Sequence, residues 1–372
     1  MKYLTVKQYQ KEEIRGKTSI SNRFIRAFAP TTFIRGGFPD RVNIEQELVR
    51  YIDSQHSECF EKYYIELCQG ITKQEADLIL KTAKKIYDMT REQFAVKIVV
   101  KAPLLAALFC KRIVDVLSDY NVNSHVLELG AGSGMVGALL LEAGYRYSCT
   151  EVTQAFYLAQ NRVLGVFNKV NELCIEEMEM KGNYHIPYWK MWELRDSYLD
   201  IDIITCNHAL LEMSNSALLF YLKFSYNSLI KKGRGFFFFQ GTGWNIEGNI
   251  RSLLEMFRKV GFQLVYYNVQ SELAIFSITG DDISEQVIEY LNRSKQSCEI
   301  CEHISGHGNV RVIRNDDRIF YNTGIGKKIH LSLDEKETCT RLNFDETSKM
   351  FDLICPDGYS LDDEFTAYIK LV

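Results

Sequence analysis

The stretch HVLELGAGSGMVGALLLEAGYRYSCTEV, residues 125–152, decides the fold. Its pattern predicts a strand, a glycine-rich turn, a helix that stops at Ala143-Gly144, and a second strand that ends at Glu151. Glycines allow a sharp turn and a close approach of the backbone to a ligand, and the following helix presents its amino end to that ligand. A carboxylate at the end of the second strand can bind both hydroxyls of a ribose. The stretch therefore indicates a site for a nucleoside-containing cofactor.

The spacing of the glycines narrows the choice of cofactor. A dinucleotide fingerprint requires a small residue three positions after its second glycine, and after Gly130 and Gly132 that position is Met135. Glu128, two residues before the first glycine, suits the amino group of an amino-acid-like cofactor. The resulting E-x-G-x-G-x-G turn resembles the first motif of the class I S-adenosylmethionine-dependent methyltransferases. The alternative is a glycine turn in an unrelated α/β protein.

The resemblance to class I methyltransferases carries expectations about fold and ligands. It implies an α/β chain with a Rossmann-like, mostly parallel sheet that ends in an antiparallel strand. It also implies that the chain binds S-adenosylmethionine and releases S-adenosylhomocysteine. The residues that match the cofactor-binding segments are Glu128, Gly130, Ala131, Gly132, Ser133, Gly134, Glu151, Val152 and Asn207.

Composition limits the class of protein and its partners. The chain has 372 residues, 46% of them apolar and 25% charged, as in an ordinary globular protein. A net charge of -4 gives no reason to expect a nucleic-acid partner. Ten cysteines without a regular spacing favour a reducing cytoplasm. The amino terminus lacks an apolar core of signal-peptide length, and the apolar run Phe236–Phe239 is too short to span a membrane.

Three regions follow from changes in pattern along the chain. Residues 1–120 predict a basic, turn-rich arm followed by a helical cover, in which Thr72 and Glu75 form a capping box. Residues 121–280 alternate strands and helices and predict the cofactor-binding domain, with a strand near 172–176 and a terminal antiparallel pair. Residues 281–372 predict a small, mostly β appendage. The arm either packs on the body or closes over an anionic substrate, and the appendage suits a lid, a recognition module or a homodimer contact.

Loops that follow two of the predicted strands carry candidate catalytic residues, because ligands of open α/β sheets bind outside the carboxyl ends of the strands. His208 follows the strand 201–206 and suits a general base. Glu212 lies four residues on in a predicted helix and would orient the imidazole. A histidine that only caps that helix is the alternative. The candidate acceptor-binding residues are Gln240, Trp244, Asn245 and Tyr188, of which Tyr188 is expected after the third strand near an adenine.

Two segments point to an acceptor class. The segments IDIITCNHALLEMS and FFFFQGTGW resemble those of the sugar O-methyltransferases, and Asn207, Glu212 and Met213 match that family's motif. His208 is particular to this chain, and Gln240 stands where an Asn is expected. The resemblance implies a small-molecule acceptor with a sugar hydroxyl. The alternatives are O- or N-methylation of a natural product, amino acid or peptide, and a non-catalytic scaffold that binds S-adenosylmethionine.

Two other functions are disfavoured. A methyltransferase that acts on the bases of nucleic acids would show N/D-P-P-Y/F, and residues 207–210 read Asn-His-Ala-Leu. Cys298, Cys301, His303 and His307 are metal-ligand residue types, but the last three are too close for paired zinc knuckles. We therefore predict unpaired thiols and histidines in a loop, without a metal ion.

Overall fold

The computed structural model describes residues 3–29, 39–53, 63, 67, 70–119, 121–167, 169–176, 182–196, 199–241, 250–268, 272–279, 311–313, 320–322, 341–342 and 344–354. The strands in this part of the chain are β1 (Ile71–Thr72), β2 (His125–Leu129), β3 (Arg146–Glu151), β4 (Asn171–Glu172), β5 (Tyr184–Pro187), β6 (Ile203–Thr205), β7 (Phe236–Gln240), β8 (Gln263–Asn268), β9 (Leu273–Ser277), β10 (Arg311–Ile313), β11 (Phe320–Asn322) and β12 (Arg341–Leu342). The α-helices are α1 (Val6–Lys17), α2 (Asn22–Ala27), α3 (Val49–Asp53), α4 (Lys73–Phe94), α5 (Ala102–Leu117), α6 (Met135–Glu142), α7 (Gln154–Gly165), α8 (Tyr188–Leu194), α9 (Asn215–Lys232), α10 (Ile250–Val260) and α11 (Phe344–Met350). Short 3₁₀ helices span Glu45–Leu48, Leu210–Glu212 and Phe351–Leu353.

Ten strands form one sheet in the order β11-β10-β8-β9-β7-β6-β2-β3-β5-β4. The pairs from β4 to β7 are parallel, and β9 joins β7 and β8 antiparallel. The predicted fold class is confirmed: an α/β chain with a mostly parallel, Rossmann-like sheet that has antiparallel strands at one end. β2 lies where the strand order reverses, so a ligand is expected to bind at the carboxyl ends of β2 and β6.

The central strands are buried because helices cover them. All five residues of β2 are buried, and Phe237, Phe238 and Phe239 of β7 have no exposed surface. The continuous apolar run in β7 is typical of a parallel sheet covered on both faces. α5 packs on α6, and α9 packs on α10. The core therefore holds the carboxyl ends of β2, β3, β6 and β7 in fixed positions along one edge.

The third parallel strand differs from the prediction. Residues 172–176 do not form a strand beyond β4, because Glu172 and Glu176 tie the segment into a turn: Ile175 N donates to Glu172 O, and Glu172 N donates to Glu176 Oε2. The third long strand is β5, eight residues further on, and its four residues are all buried. Consequently His185 lies within a strand and Tyr188 begins a helix.

The described part of the amino-terminal arm, residues 3–29, contains the helices α1 and α2. α1 begins at a capping box in which the Thr5 side chain accepts from Gln8 N. Leu4 and Tyr9 have no exposed surface, and α1 contacts α7 and α8. The described part of the arm is packed on the body of the protein.

The described residues of the carboxyl-terminal region include strands and a helix. β10 and β11 form an antiparallel pair that extends the main sheet, and β12 pairs with β1. α11 contacts α4. No helix in the described ranges is both long and apolar enough to cross a membrane.

His125, at the start of β2, is a buried neutral histidine. Its Nδ1 lies 2.9 Å from Asp200 O, and its Nε2 lies 2.8 Å from Ser148 Oγ. Burial lowers the pKa of His125 to about 4, and the nearby Arg146 acts in the same direction. The unfolded chain therefore takes up a proton near pH 6.5, whereas the folded chain does so only near pH 4.

This difference predicts an acid-dependent loss of stability. As the pH falls from 6.5 to 4, His125 should lower the free energy of unfolding by about 3 kcal/mol. Urea unfolding of the wild type and of His125→Gln between pH 7.5 and 4 measures this contribution. The free energies of unfolding of the two proteins, plotted against pH, should converge towards low pH. If the two plots stay parallel, His125 is not the titrating group.

Candidate cofactor and active site

The glycine loop between β2 and α6 is built from left-handed backbone. Gly130, Gly132 and Gly134 have φ values of 69°, 52° and 80°, a region that side chains rarely adopt. A Cβ on Gly130 would come within 3.2 Å of Ala209 Cβ and 3.6 Å of Met213 Cε. The loop therefore needs glycine both for its turn and for the narrow space in front of it.

Backbone hydrogen bonds fix the loop to the neighbouring strand. Gly130 N and Ala131 N both donate to Thr150 O, at 2.9 and 3.4 Å. Ala131 and Ser133 are buried, and Gly134 is the N-cap of α6. The amino end of α6 thus follows directly from the loop, as an anion- or dipole-binding turn requires.

Glu128 is a buried carboxylate at the end of β2. Its Oε2 accepts from Tyr147 Oη at 2.5 Å, and only 3% of the residue is exposed. Burial raises its pKa to about 7, the charge of Glu151 adds to the increase, and the hydrogen bond from Tyr147 and the nearby Asn207 amide oppose it. Near neutral pH this group can therefore take either charge state.

Glu151, at the end of β3, is held by backbone donors. Its Oε1 accepts from Val152 N at 2.8 Å and Thr153 N at 3.0 Å. Its Oε2 accepts from Gly132 N at 3.2 Å and from Gln160 Nε2 at 3.4 Å. Burial raises the pKa of Glu151, and these backbone donors oppose the increase. Its two Oε2 contacts are long, so this oxygen can accept a stronger donor.

Asn207 joins the ends of β6 and β7. Its Oδ1 accepts from Gln240 N at 3.1 Å and from Thr205 Oγ1 at 3.2 Å. Its Nδ2 is buried and makes no hydrogen bond with any other residue in the described part of the chain. Gln240 is buried, and its Oε1 lies 3.8 Å from Cys110 Sγ.

His208 has an unusual backbone conformation beside these strand ends. Its φ is 54°, in the left-handed region, and its N–H points to Gln240 O and Gly241 O at 3.1 and 3.2 Å. Its ring lies against Gly241: a Cβ there would come within 2.1 Å of His208 Nδ1. Strained non-glycine backbone is concentrated at functional sites.

The predicted geometry of Glu212 is wrong. Residues 210–212 form a 3₁₀ turn, and His208 stands outside it with positive φ. The α-helical spacing that would place Glu212 on the face of His208 is therefore absent. Positive φ at His208 breaks the helix that the sequence pattern predicts.

Tyr188 directly follows β5, the third long strand of the parallel part of the sheet. It is buried at the start of α8, where its ring stacks on Phe28 with a centroid distance of 6.2 Å. Lys17 Nζ lies 5.6 Å from the centre of the same ring. Tyr188 thus joins the amino-terminal arm to the end of β5.

A cavity of about 440 Å³ lies between α2 and the start of α9. Ser214 connects its two sides by donating from Oγ to Ala27 O at 2.7 Å. Ser214 also follows Met213, whose methyl group faces the glycine loop. The lining residues are Asn22, Arg23, Arg26, Ala27, Ser214 and Ser216.

Several polar residues that support the loop belong to no recognisable sequence motif. Gln160 Nε2 donates to Gly132 O at 2.6 Å, and Tyr147 binds Glu128 as described above. The available signal was α7 itself, a helix buried on every side that nevertheless contains Gln160, Asn161 and Arg162. Buried polar side chains require partners.

Some predicted residues lie outside the described part of the chain. They are Trp244, Asn245, Cys298, Cys301, His303 and His307. Among the residues that are described, no group of three or more His, Cys, Asp or Glu side chains is arranged to hold a metal ion.

Comparisons with known proteins return structural matches only. No family model matches the chain, and no curated protein does. A TehB-like SAM-dependent methyltransferase from Corynebacterium glutamicum is 16% identical, with 45% of this chain and 84% of that chain covered and a TM-score of 0.33. The sugar N-methyltransferase KedS8 from Streptoalloteichus sp. is 12% identical, with 46% and 85% covered and a TM-score of 0.33.

A third solved structure is the magnesium protoporphyrin IX methyltransferase ChlM from Synechocystis, with bound SAM. It is 10% identical, with 63% of this chain and 97% of that chain covered and a TM-score of 0.31. Similarity at this level carries no argument about cofactor or acceptor. The fold assignment rests on the strand order of the chain itself.

Proposed function

We propose that the chain is an S-adenosylmethionine-dependent methyltransferase that acts on a hydroxyl of a sugar or sugar-containing small molecule. The observation that carries the proposal is the left-handed glycine loop at the carboxyl edge of the sheet, between buried Glu128 and Glu151. S-adenosylmethionine supplies an electrophilic methyl group on a sulfonium. The protein then has to align the acceptor and remove its proton.

The residues of the site fit the parts of this cofactor. Glu128 suits the ammonium group, because its pKa of about 7 allows it to ionise when a cation arrives. Glu151 Oε2 suits the ribose hydroxyls. Gly130 leaves open the space that a Cβ would fill. The other loop residues in this proposal are Ala131, Gly132, Ser133, Gly134, Val152 and Asn207.

His208 is the proposed base for the acceptor hydroxyl. It follows β6 at the carboxyl edge of the sheet, and its strained backbone and its contact with Gly241 fix the ring there. Gln240 lies at the end of the next strand and is proposed as an acceptor contact. The orienting role of Glu212 depended on an α-helix, and residues 210–212 form a 3₁₀ turn instead, so we propose no such role for it.

The cavity between α2 and α9 supports an acceptor that carries a negative charge. Arg23 and Arg26 are exposed along its rim, and guanidinium groups bind phosphates and carboxylates in two-point geometry. Sugar phosphates and sugar acids therefore head the group of candidate acceptors.

A scan of acceptors tests the proposed function. Purified protein is incubated with S-adenosylmethionine and neutral sugars, sugar phosphates, sugar acids, amino acids or peptides, and S-adenosylhomocysteine formation is followed. We expect turnover with sugars, and the fastest turnover with the anionic ones. Turnover only with amino acids or peptides would contradict the acceptor class, and cofactor binding without turnover on any acceptor would favour the scaffold.

A further inference from the structure

A chain of buried polar side chains leads from the glycine loop into the interior. Gln160 Nε2 donates to Gly132 O, and Gln160 Oε1 lies 3.0 Å from His185 Nε2. His185 Nδ1 lies 2.7 Å from Glu172 Oε2. Gln160, His185 and Glu172 have no exposed surface, so water does not compete for these bonds.

The orientation of the Gln160 amide is determined by its neighbours. On one side it faces Gly132 O and Glu151 Oε2, which both accept hydrogen bonds. On the other side it faces Cys149 Sγ, a thiol donor, at 3.9 Å, and the His185 ring. The reversed orientation would place the amide oxygen of Gln160 against the oxygens of Gly132 and Glu151, with no hydrogen between them. Gln160 Oε1 therefore points to His185, and His185 Nε2 carries a proton that it donates.

Glu172 holds the other side of the histidine ring. Its Oε2 also accepts from Asn161 Nδ2 at 2.8 Å, and its Oε1 accepts from Cys174 N at 3.1 Å and from the Tyr157 hydroxyl. The Tyr157 ring stacks on the His185 ring at 3.8 Å. The stacked Tyr157 ring thus fixes the plane of the imidazole, and the hydrogen bonds fix the directions of its two nitrogens.

The same network reaches the amino-terminal arm. Asn161 Oδ1 accepts from Leu4 N at 2.8 Å, and Arg162 Nη2 donates to Leu4 O at 2.8 Å. Four side chains therefore connect Leu4 to Gly132: Asn161, Glu172, His185 and Gln160. The Leu4 end of this network lies next to the amino end of α1.

We infer that His185 is a positioning residue for the cofactor: through Gln160 it holds the Gly132 carbonyl, and with it the glycine loop, in the binding conformation. His185 acts without touching the cofactor, because the whole Gln160 side chain stands between it and the loop. The inference rests on the proposed function, since it concerns affinity for the same cofactor.

A double-mutant cycle on cofactor affinity tests the inference. The dissociation constant for S-adenosylhomocysteine is measured by calorimetry for the wild type, His185→Phe, Gln160→Leu and the double variant. Each single change should raise the constant about tenfold, the loss of roughly one hydrogen bond. The dissociation constant of the double variant should also rise only about tenfold, because both residues act through one contact. A value near a hundredfold, or an unchanged constant in His185→Phe, would overturn the inference.

His125→Phe is the matched control. His125 is also a buried strand histidine with both ring nitrogens bonded, but it lies at the opposite end of β2 from the loop. This variant should lower the stability and leave the dissociation constant within twofold. A rise equal to that of His185→Phe would show that any buried histidine has the effect, and would overturn the inference.

A second measurement does not depend on folding of a variant. In a ¹H–¹⁵N spectrum of the wild-type protein, the His185 Nε2–H should appear as a slowly exchanging resonance that shifts when S-adenosylhomocysteine is added. An unprotonated Nε2 would overturn the inference by itself. Wild-type protein that does not bind S-adenosylhomocysteine but shows this resonance would instead contradict the proposed function and leave the hydrogen-bond network intact.

Discussion

Replacement of Glu128 by Gln is expected to weaken binding of S-adenosylmethionine about a hundredfold at pH 8, the loss of one charged hydrogen bond of roughly 2–3 kcal/mol. Gln keeps an oxygen that can accept from Tyr147, so the local packing is preserved. It removes the negative charge that we assign to the ammonium group. Calorimetric titration of both proteins with S-adenosylmethionine measures the change.

The same substitution is expected to stabilise the cofactor-free protein. Because the pKa of Glu128 is raised to about 7, the folded chain holds its proton more tightly than the unfolded chain does. The stabilisation that protonated Glu128 gives to the folded chain is fully present below pH 4.5, and it is lost as the pH rises to 7. Above pH 7 the ionised carboxylate therefore costs about 3 kcal/mol. Urea unfolding should show Glu128→Gln to be more stable than the wild type at pH 8 and equal to it at pH 4.

Glu142→Gln is the control, because this substitution should change the stability at pH 8 in the opposite direction. Burial raises the pKa of Glu142, but Lys81 and Lys85 bind it and leave the pKa lowered overall, with Lys85 Nζ at 2.5 Å. This variant should lose stability at pH 8 and keep normal cofactor affinity. If Glu128→Gln behaves in the same way, the carboxylate at position 128 is structural and our assignment of the ammonium site is wrong.

His208→Asn is expected to lower the turnover number by 10²- to 10⁴-fold, the usual contribution of a general base. Asn tolerates the left-handed backbone at φ 54°, so the fold of the loop is retained and affinity for S-adenosylhomocysteine should stay within twofold. Steady-state kinetics and calorimetry separate the two quantities. Near-normal turnover across the pH range would remove His208 as the base.

Two further variants test whether the position of the His208 ring matters for turnover. Gly241→Ala places a Cβ against the His208 ring, so it should lower turnover while His208 itself remains. Asp119→Asn changes another residue with positive φ, 51°, in an exposed turn before β2, and should leave turnover unchanged. Normal turnover in Gly241→Ala would show that the position of the ring is not important.

Much of the fold could be predicted because hydrophobic period and glycine spacing are local properties. Residues 125–152 form the predicted strand, loop, helix and strand, and α6 ends before Ala143-Gly144. The capping box of Thr72 and Glu75 is present at the start of α4. The terminal antiparallel pair is also confirmed, as β8 and β9.

The incorrect elements share a physical cause, because tertiary contacts override the local pattern. Glu172 ends β4 early since its carboxylate binds buried groups from α7 and β5. The turn 210–212 is 3₁₀ since His208 adopts positive φ between two strand ends. The α1 helix could have been predicted from its capping box, Thr5 and Gln8, whose signal is short but specific.

The site could be predicted only in part. Residues that touch a cofactor occur in a compact motif, so Glu128, the glycines and Glu151 are visible in the sequence. The residues that support them are not adjacent in the chain: Tyr147 is 19 positions from Glu128, and His185 is 25 positions from Gln160. These partners meet only after β3, β5 and α7 are assembled.

The most direct test of the central claim is calorimetric titration of the wild-type protein with S-adenosylhomocysteine at pH 6.5 in two buffers of different ionisation enthalpy. At that pH a carboxyl group with a pKa of about 7 is mostly protonated, and pairing with the ligand's ammonium group requires it to ionise. We expect tight binding with release of roughly 0.8 proton, and no proton release in Glu128→Gln. Absence of binding, or binding with the same proton exchange in both proteins, would contradict it.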